Sequence, residues 1–194
     1  MLPDKREIMG ELTDEERNLL RVAAKHEAGH AVMRWILELP LTELTANVGT
    51  GMCAGTKAKV QVKDYLLVTL AGLAAESNYG FYQPDFSSRD GGDLDRARLM
   101  LVRIPWLRIW PDLSLNAVTH MAVPEHYQST DDAFQRYFKE ACDNLAPHED
   151  LVDEIATCLA VERKLTARTV AAMCRRYATR NKMNDYHPCQ GGVP

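Results

Sequence analysis

Aromatic residues are scarce in this chain, 7% of 194, and alanine and small aliphatic side chains take their place, a composition that predicts helix. Lysine and arginine nowhere gather into a block. With 23 Lys and Arg against 27 Asp and Glu the formal net charge is −4, so the electrostatic footprint of a nucleic-acid or anionic-membrane partner is missing. Long apolar runs are missing too. The run from Tyr65 to Ala75 stops at Asp64 and Glu76, well short of the roughly 18 apolar residues of a spanning helix. The opening Met-Leu-Pro-Asp-Lys-Arg-Glu has no apolar signal core. The five cysteines (Cys53, Cys142, Cys158, Cys174, Cys189) include no CxxC pair, and their odd number argues against a disulfide framework. A phosphate loop is also absent: Gly51-Met-Cys-Ala-Gly55-Thr56-Lys57 departs from Gly-x-x-x-x-Gly-Lys-[Ser/Thr]. These absences predict a cytoplasmic, reduced, mainly α protein with no nucleic-acid partner, no membrane span and no ATP site. Its 46% apolar content is ample for one core.

Within that frame the periodicities mark elements. Thr13-Asp-Glu-Glu16 reads as a capping box, opening a helix from Asp14 to about Leu39 that Pro40 stops. Along it Leu19, Val22, Ala23, His26, His30, Met33 and Leu37 form one stripe at three- and four-residue steps. Val, Thr and Gly between Leu44 and Val62 predict a small β-hairpin or sheet. A second helix, Tyr65 to about Tyr79, is apolar almost all round and is expected to be the buried central one. Phe81 to Gly92 reads as a polar loop, Asp93 to about Val102 as a third helix, and Arg103 to Pro124 as short turns mixed with loop. Phe134, Tyr137, Phe138, Ala141 and Leu145 predict a further helix, and Leu151, Val152, Ile155 and Leu159 another. Thr166 caps a last one carrying Val170, Met173, Cys174 and Tyr177. The expected organisation is a single domain over residues 1–180, with an arm (1–12), a metal-site half (13–124) and a C-terminal helical bundle (125–180), followed by a flexible tail (181–194).

The chemistry lies in His26-Glu27-Ala28-Gly29-His30. Histidines at i and i+4 stand one above the other on a helix, so their ring nitrogens can share one tetrahedral metal ion. Glu27, rotated by about 100°, can reach a water at such an ion without being a ligand, and can take its proton during attack on a carbonyl. With six histidines among 194 residues, chance gives His-Glu-x-x-His roughly 0.01 times. Two buried core histidines without a metal would each carry the cost of an N–H and a lone pair out of water. Gly29 is unfavourable in mid-helix and predicts a close neighbour. A third ligand from a nearby histidine is unsupported, because none lies between His30 and His120. Two carboxylates remain. Asp93 follows Gly91-Gly92 at the head of a helix, where its ordinary role is an N-cap. Glu76 ends the apolar helix, where its ordinary role is a solvated or salt-bridged helix end. The pattern leaves both open. His120, His126, His148 and His187 read as surface or loop residues, Tyr177 and the Phe134 stripe as core, and Cys53 as a thiol that faces the site with nothing to activate it.

These segments together resemble the zinc peptidase domain of the FtsH-type AAA+ proteases. His26 to Ala31 matches that family's His-Glu-Ala-Gly-His-Ala letter for letter. Leu70-Ala-Gly-Leu-Ala-Ala-Glu76 resembles its Leu-x-Gly-Arg-Ala-Ala-Glu-Glu, Gly92-Asp93-Leu94-Asp95-Arg96-Ala97 its Asn-Asp-Leu-x-x-Ala-Thr, and Cys158 to Thr166 its Leu-Leu-x-x-Glu-Thr-Leu stretch. The resemblance implies a helical zinc-peptidase domain in which Asp93 joins His26 and His30 as ligands of Zn²⁺ and Glu27 is the catalytic base. It further implies a metalloendopeptidase acting on unfolded or flexible polypeptides. The family's ATPase module and membrane segments have no counterpart here, so a separate unfoldase or self-association is expected. Leu73 stands where the family has Arg, and Ser77 where it has a second Glu. Those departures motivate the alternative of a catalytically degenerate metal-binding domain serving as an interaction or assembly module.

Overall fold

The computed structural model describes residues 12–55, 61–78, 92–104 and 129–184. The arm to residue 11, the loop expected before Gly92, the stretch from Pro105 to Pro124, and the last ten residues lie outside the described set. The described elements are α1 (Asp14–Ile36), β1 (Glu43–Asn47), β2 (Thr50–Ala54), α2 (Val62–Asn78), α3 (Asp93–Arg103), α4 (Thr130–Leu145), a 3-10 turn (Ala146–His148), α5 (Glu149–Glu162), β3 (Lys164–Thr166) and α6 (Ala167–Asn184). The fold is mainly helical with one small sheet.

α1 begins where its capping box places it. The Glu16 N–H donates to Thr13 Oγ1 at 3.2 Å, and the Thr13 N–H donates back to Glu16 Oε2 at 2.8 Å. It ends three residues before the expected Leu39. Leu39, the residue before Pro40, is disfavoured in the helical conformation, and the chain leaves the helix ahead of it through Glu38, whose φ of 54° lies in the left-handed region. α2 is buried along its whole inner length, from Leu66 to Glu76, as its all-round apolarity predicted. α1 crosses it at Gly29, where a Cβ would lie 2.5 Å from the Ala71 carbonyl oxygen and 2.6 Å from Ala75 Cβ. The neighbour that Gly29 predicted is therefore the α2 backbone. α5 packs on the other side of α1, and α4 packs on α2. Phe134, Tyr137, Leu151, Ile155, Leu159 and Tyr177 close the core from these C-terminal helices.

The sheet has the order β2-β1-β3, antiparallel throughout. Gly49 (φ 71°) makes the turn of the expected hairpin. β3 was not expected. Lys164-Leu165-Thr166 is too short for a period-2 pattern to register, and it is a strand only because Leu44 and Leu165 pair across it with both side chains buried. At the other end, α6 continues to Asn184, four residues into the segment expected to be a tail, since no Gly or Pro interrupts it before Pro188.

Candidate metal centre

α1, α2, α3 and β2 each bring one part of the site. α1 carries His26, Glu27 and His30 on the face that it turns toward α2. The rings of His26 and His30 meet edge to face, 4.7 Å between centroids. Asp93, the first residue of α3, points its Oδ2 between them, 3.0 Å from His26 Nε2 and 2.8 Å from His30 Nε2. One donor atom from each of these three residues lies within 4.8 Å of the others, a grouping able to hold a metal ion. The N-cap role weighed for Asp93 is not what it does: Gly92 occupies that position, with φ 116° and no side-chain cap.

Glu76 is also at the site, but on the other side of a ring. Its Oε1 lies 2.6 Å from His26 Nδ1, and Glu76 is 5% exposed. His30 Nδ1 lies 2.6 Å from the Val68 carbonyl oxygen, which can only accept, so that nitrogen carries the proton. Both Nδ1 atoms are thus committed to α2, and in the neutral rings both Nε2 atoms present lone pairs to the Asp93 carboxylate. Three acceptors facing one another are stable only with a proton or a cation among them. In the metal-free protein the proton takes that place. Burial works against a charged His26, yet the hydrogen bonds to Asp93 and Glu76 outweigh it and lift the ring to about 10. Burial alone would raise Asp93, but the two histidines hold it well below the usual carboxylate range. Arg96 adds a contact to Asp93 Oδ1 at 3.0 Å.

Glu27 is set apart from these pairs. It is 6% exposed, its Oε2 is buried with no hydrogen-bond partner among the described residues, and burial raises its pKa. Gly51 of β2 presses on it, for a Cβ there would fall 2.4 Å from Glu27 Cγ. Gly72 gives His26 the same clearance, since a Cβ would stand 2.4 Å from Nε2. The residues His26, Glu27, His30 and Asp93 open onto one cleft of about 420 Å³, shared with Arg34 and Cys53.

Gly51 and the Val68 carbonyl carry no chemical signature in sequence, and Gly72, with Ala71, Ala74 and Ala75, marked only a face that a neighbouring helix could approach closely, not its contact with His26. Arg34 did carry a signature, because it follows His30 by four residues and therefore continues the same helix face. Cys53 faces the cleft as expected, and burial pushes its thiol up to about 12, so it is no nucleophile at ordinary pH. His148 ends the 3-10 turn between α4 and α5. It sits half-buried against Trp35 and Tyr177, with centroid separations of 5.4 and 5.7 Å, because the 3-10 turn folds it under the end of α1. His120, His126 and His187 lie outside the described residues. No helix among the described residues is long and apolar enough to cross a membrane. Neither a protein-family model nor any curated protein matches the chain.

Proposed function

We propose that this chain is a zinc metalloendopeptidase domain of the FtsH type, in which His26, His30 and Asp93 hold Zn²⁺ and Glu27 is the general base. The observation that carries the reading is the convergence of three acceptor atoms beside a buried carboxylate oxygen without a partner. Two imidazole nitrogens and one carboxylate form a donor set that zinc favours and that leaves a fourth position open. A Zn²⁺ bound there supplies Lewis acidity, polarising a peptide carbonyl and making water nucleophilic near neutral pH.

The chain's own residues do the rest. Glu27 Oε2 accepts the proton lost by the attacking water and returns it to the leaving amine. Its raised pKa brings it closer to the working pH, where a base both accepts and releases protons efficiently. Glu76 and the Val68 carbonyl lock the two rings in the tautomer that turns Nε2 toward Asp93, and such partners sustain metal affinity. β2 ends the sheet and has only β1 as a strand partner among the described residues. Its free edge beside Glu27 suits an extended substrate, which would add as a further strand. Substrate that must be extended before it binds is unfolded or flexible polypeptide, delivered by a separate unfoldase or by chains that are already loose.

The test combines elemental analysis with digestion of an unstructured casein-like protein. Stoichiometric zinc, fragments that disappear with chelator, and a Glu27→Gln variant that keeps zinc but makes no fragments are the expected results. Full activity in that variant would refute the mechanism. Zinc without fragments in the unaltered chain would replace it with the metal-bound assembly module.

A further inference from the structure

One cationic group in the cleft has no role in the centre described above. Arg34 lies one helical turn beyond His30 on the same face of α1 and lines the same cleft of about 420 Å³. Its Nη1 donates to the Pro40 carbonyl at 2.9 Å. Its Nε is buried without an acceptor, and no carboxylate pairs with the guanidinium among the described residues. The side chain is held in place from the far side, because a Cβ on Gly55 would fall 2.2 Å from Nη1 and 2.5 Å from Cζ. Cys53, beside it in the cleft and hydrogen-bonded to it, is an uncharged thiol and does not compensate the positive charge. Arg96, the other arginine of the cleft, differs on each point: it is paired with Asp93 and its side chain is 55% exposed.

A guanidinium whose charge meets no carboxylate among the described residues, seated by a glycine and a backbone carbonyl, is a ready receptor for a carboxylate, which it can bind by a charge-assisted hydrogen bond from the N–H groups it turns to the cleft. We propose that Arg34 forms a carboxylate subsite of the cleft, which recognises an acidic side chain or the terminal carboxylate of a polypeptide bound next to the metal centre. That the bound carboxylate neighbours a bond to be cut rests on the peptidase reading above. That the cleft binds a carboxylate does not.

The experiment measures equilibrium binding by fluorescence anisotropy at low salt, using the full chain carrying Glu27→Gln so that nothing is consumed. Three labelled peptides of one sequence are compared: a neutral one with Gln and a C-terminal amide, one with Glu in place of that Gln, and one with a free C-terminal acid. Arg34 is expected to favour at least one of the two carboxylate peptides over the neutral peptide by about tenfold, the scale of one charge-assisted hydrogen bond. Which of them gains identifies the source of the carboxylate. Arg34→Gln is expected to reduce the preference to less than about twofold. Arg34→Lys, which keeps the charge but loses the planar fork, is expected to retain only part of it. Equal binding of all three peptides by the Arg34 protein, or a preference that survives both substitutions, overturns the proposal. Digestion of the same peptides by the zinc-loaded chain with Glu27 intact is scored separately. Uncut peptides with an Arg34-dependent preference would refute the peptidase reading and leave the subsite standing.

Discussion

Gly72→Ala separates the proposed metal centre from the fold more cleanly than any substitution of a proposed ligand. The added Cβ would sit 2.4, 2.5 and 2.6 Å from Nε2, Cε1 and Cδ2 of His26. Ordinary carbon contacts lie near 3.5 Å, so the ring must retreat by about 1 Å, whereas ligand positions tolerate only about 0.2 Å. The ring cannot retreat freely, because Glu76 Oε1 holds its Nδ1 at 2.6 Å. The atom pushed hardest is therefore Nε2, the one that faces Asp93. The helix itself has no objection to the change: alanine in place of a mid-helix glycine favours α2 by up to about 1 kcal/mol. The expectation is a loss of at least about tenfold in zinc affinity, comparable to removing an outer-shell partner, while the metal-free protein stays folded and loses no more than the roughly 1–3 kcal/mol of an overpacked contact, partly offset by the helix preference for alanine. Competition against a chromogenic chelator reads the first quantity, and circular-dichroism melting in EDTA reads the second. Zinc affinity equal to that of the parent would show that His26 Nε2 is not a ligand. A loss of affinity accompanied by unfolding would show that the contact belongs to the core rather than to the centre.

Gly29→Ala is expected to behave in the opposite way. Its Cβ would meet the Ala71 backbone and Ala75 Cβ, atoms that move only if α1 and α2 separate, so melting should reveal a loss of about 1–3 kcal/mol in the metal-free and metal-bound protein alike. Glu76→Gln keeps the size of the side chain but removes the charge behind His26. It should weaken zinc binding by about 10–100-fold in chelator competition while the fold melts normally. In the metal-free protein His26 is raised from its ordinary 6.5 to about 10. Its stabilising contribution is complete below pH 6.5 and is lost as pH climbs through about 10. The resistance of EDTA-treated protein to denaturant should accordingly fall across that interval, and an Asp93→Asn variant should show a shallower decline. NMR titration of the His26 ring tests the same assignment directly.

Much of this centre was legible before any tertiary contact was known, and the reason is local geometry. A period of 3.6 residues puts His26 above His30 in any α-helix, whatever packs against it, and Thr13 with Glu16 closes its own cap. The all-apolar stretch before Glu76 had to be buried because it offers no polar face to water. Boundaries were less legible where two local rules competed, as at Glu38, or where a rule was overridden from a distance. β3 exists because β1 offers it a partner, not because three residues prefer extension.

The division is sharpest at the two carboxylates. From the residues alone Glu76 and Asp93 were equivalent candidates, each at a helix end and each far along the chain from His26. Only the approach of α2 and α3 to α1 assigns them to opposite nitrogens of one ring, Glu76 to Nδ1 and Asp93 to Nε2. The clearance that permits this is just as non-local: Gly29 announced a close neighbour without naming it, and Gly51 and Gly72 make room for Glu27 and His26 from other elements of the fold. Periodicity along one helix thus determined which side chains face the site. The close packing of separate elements decided what each of them touches, because a contact of a few tenths of an ångström depends on how whole helices cross.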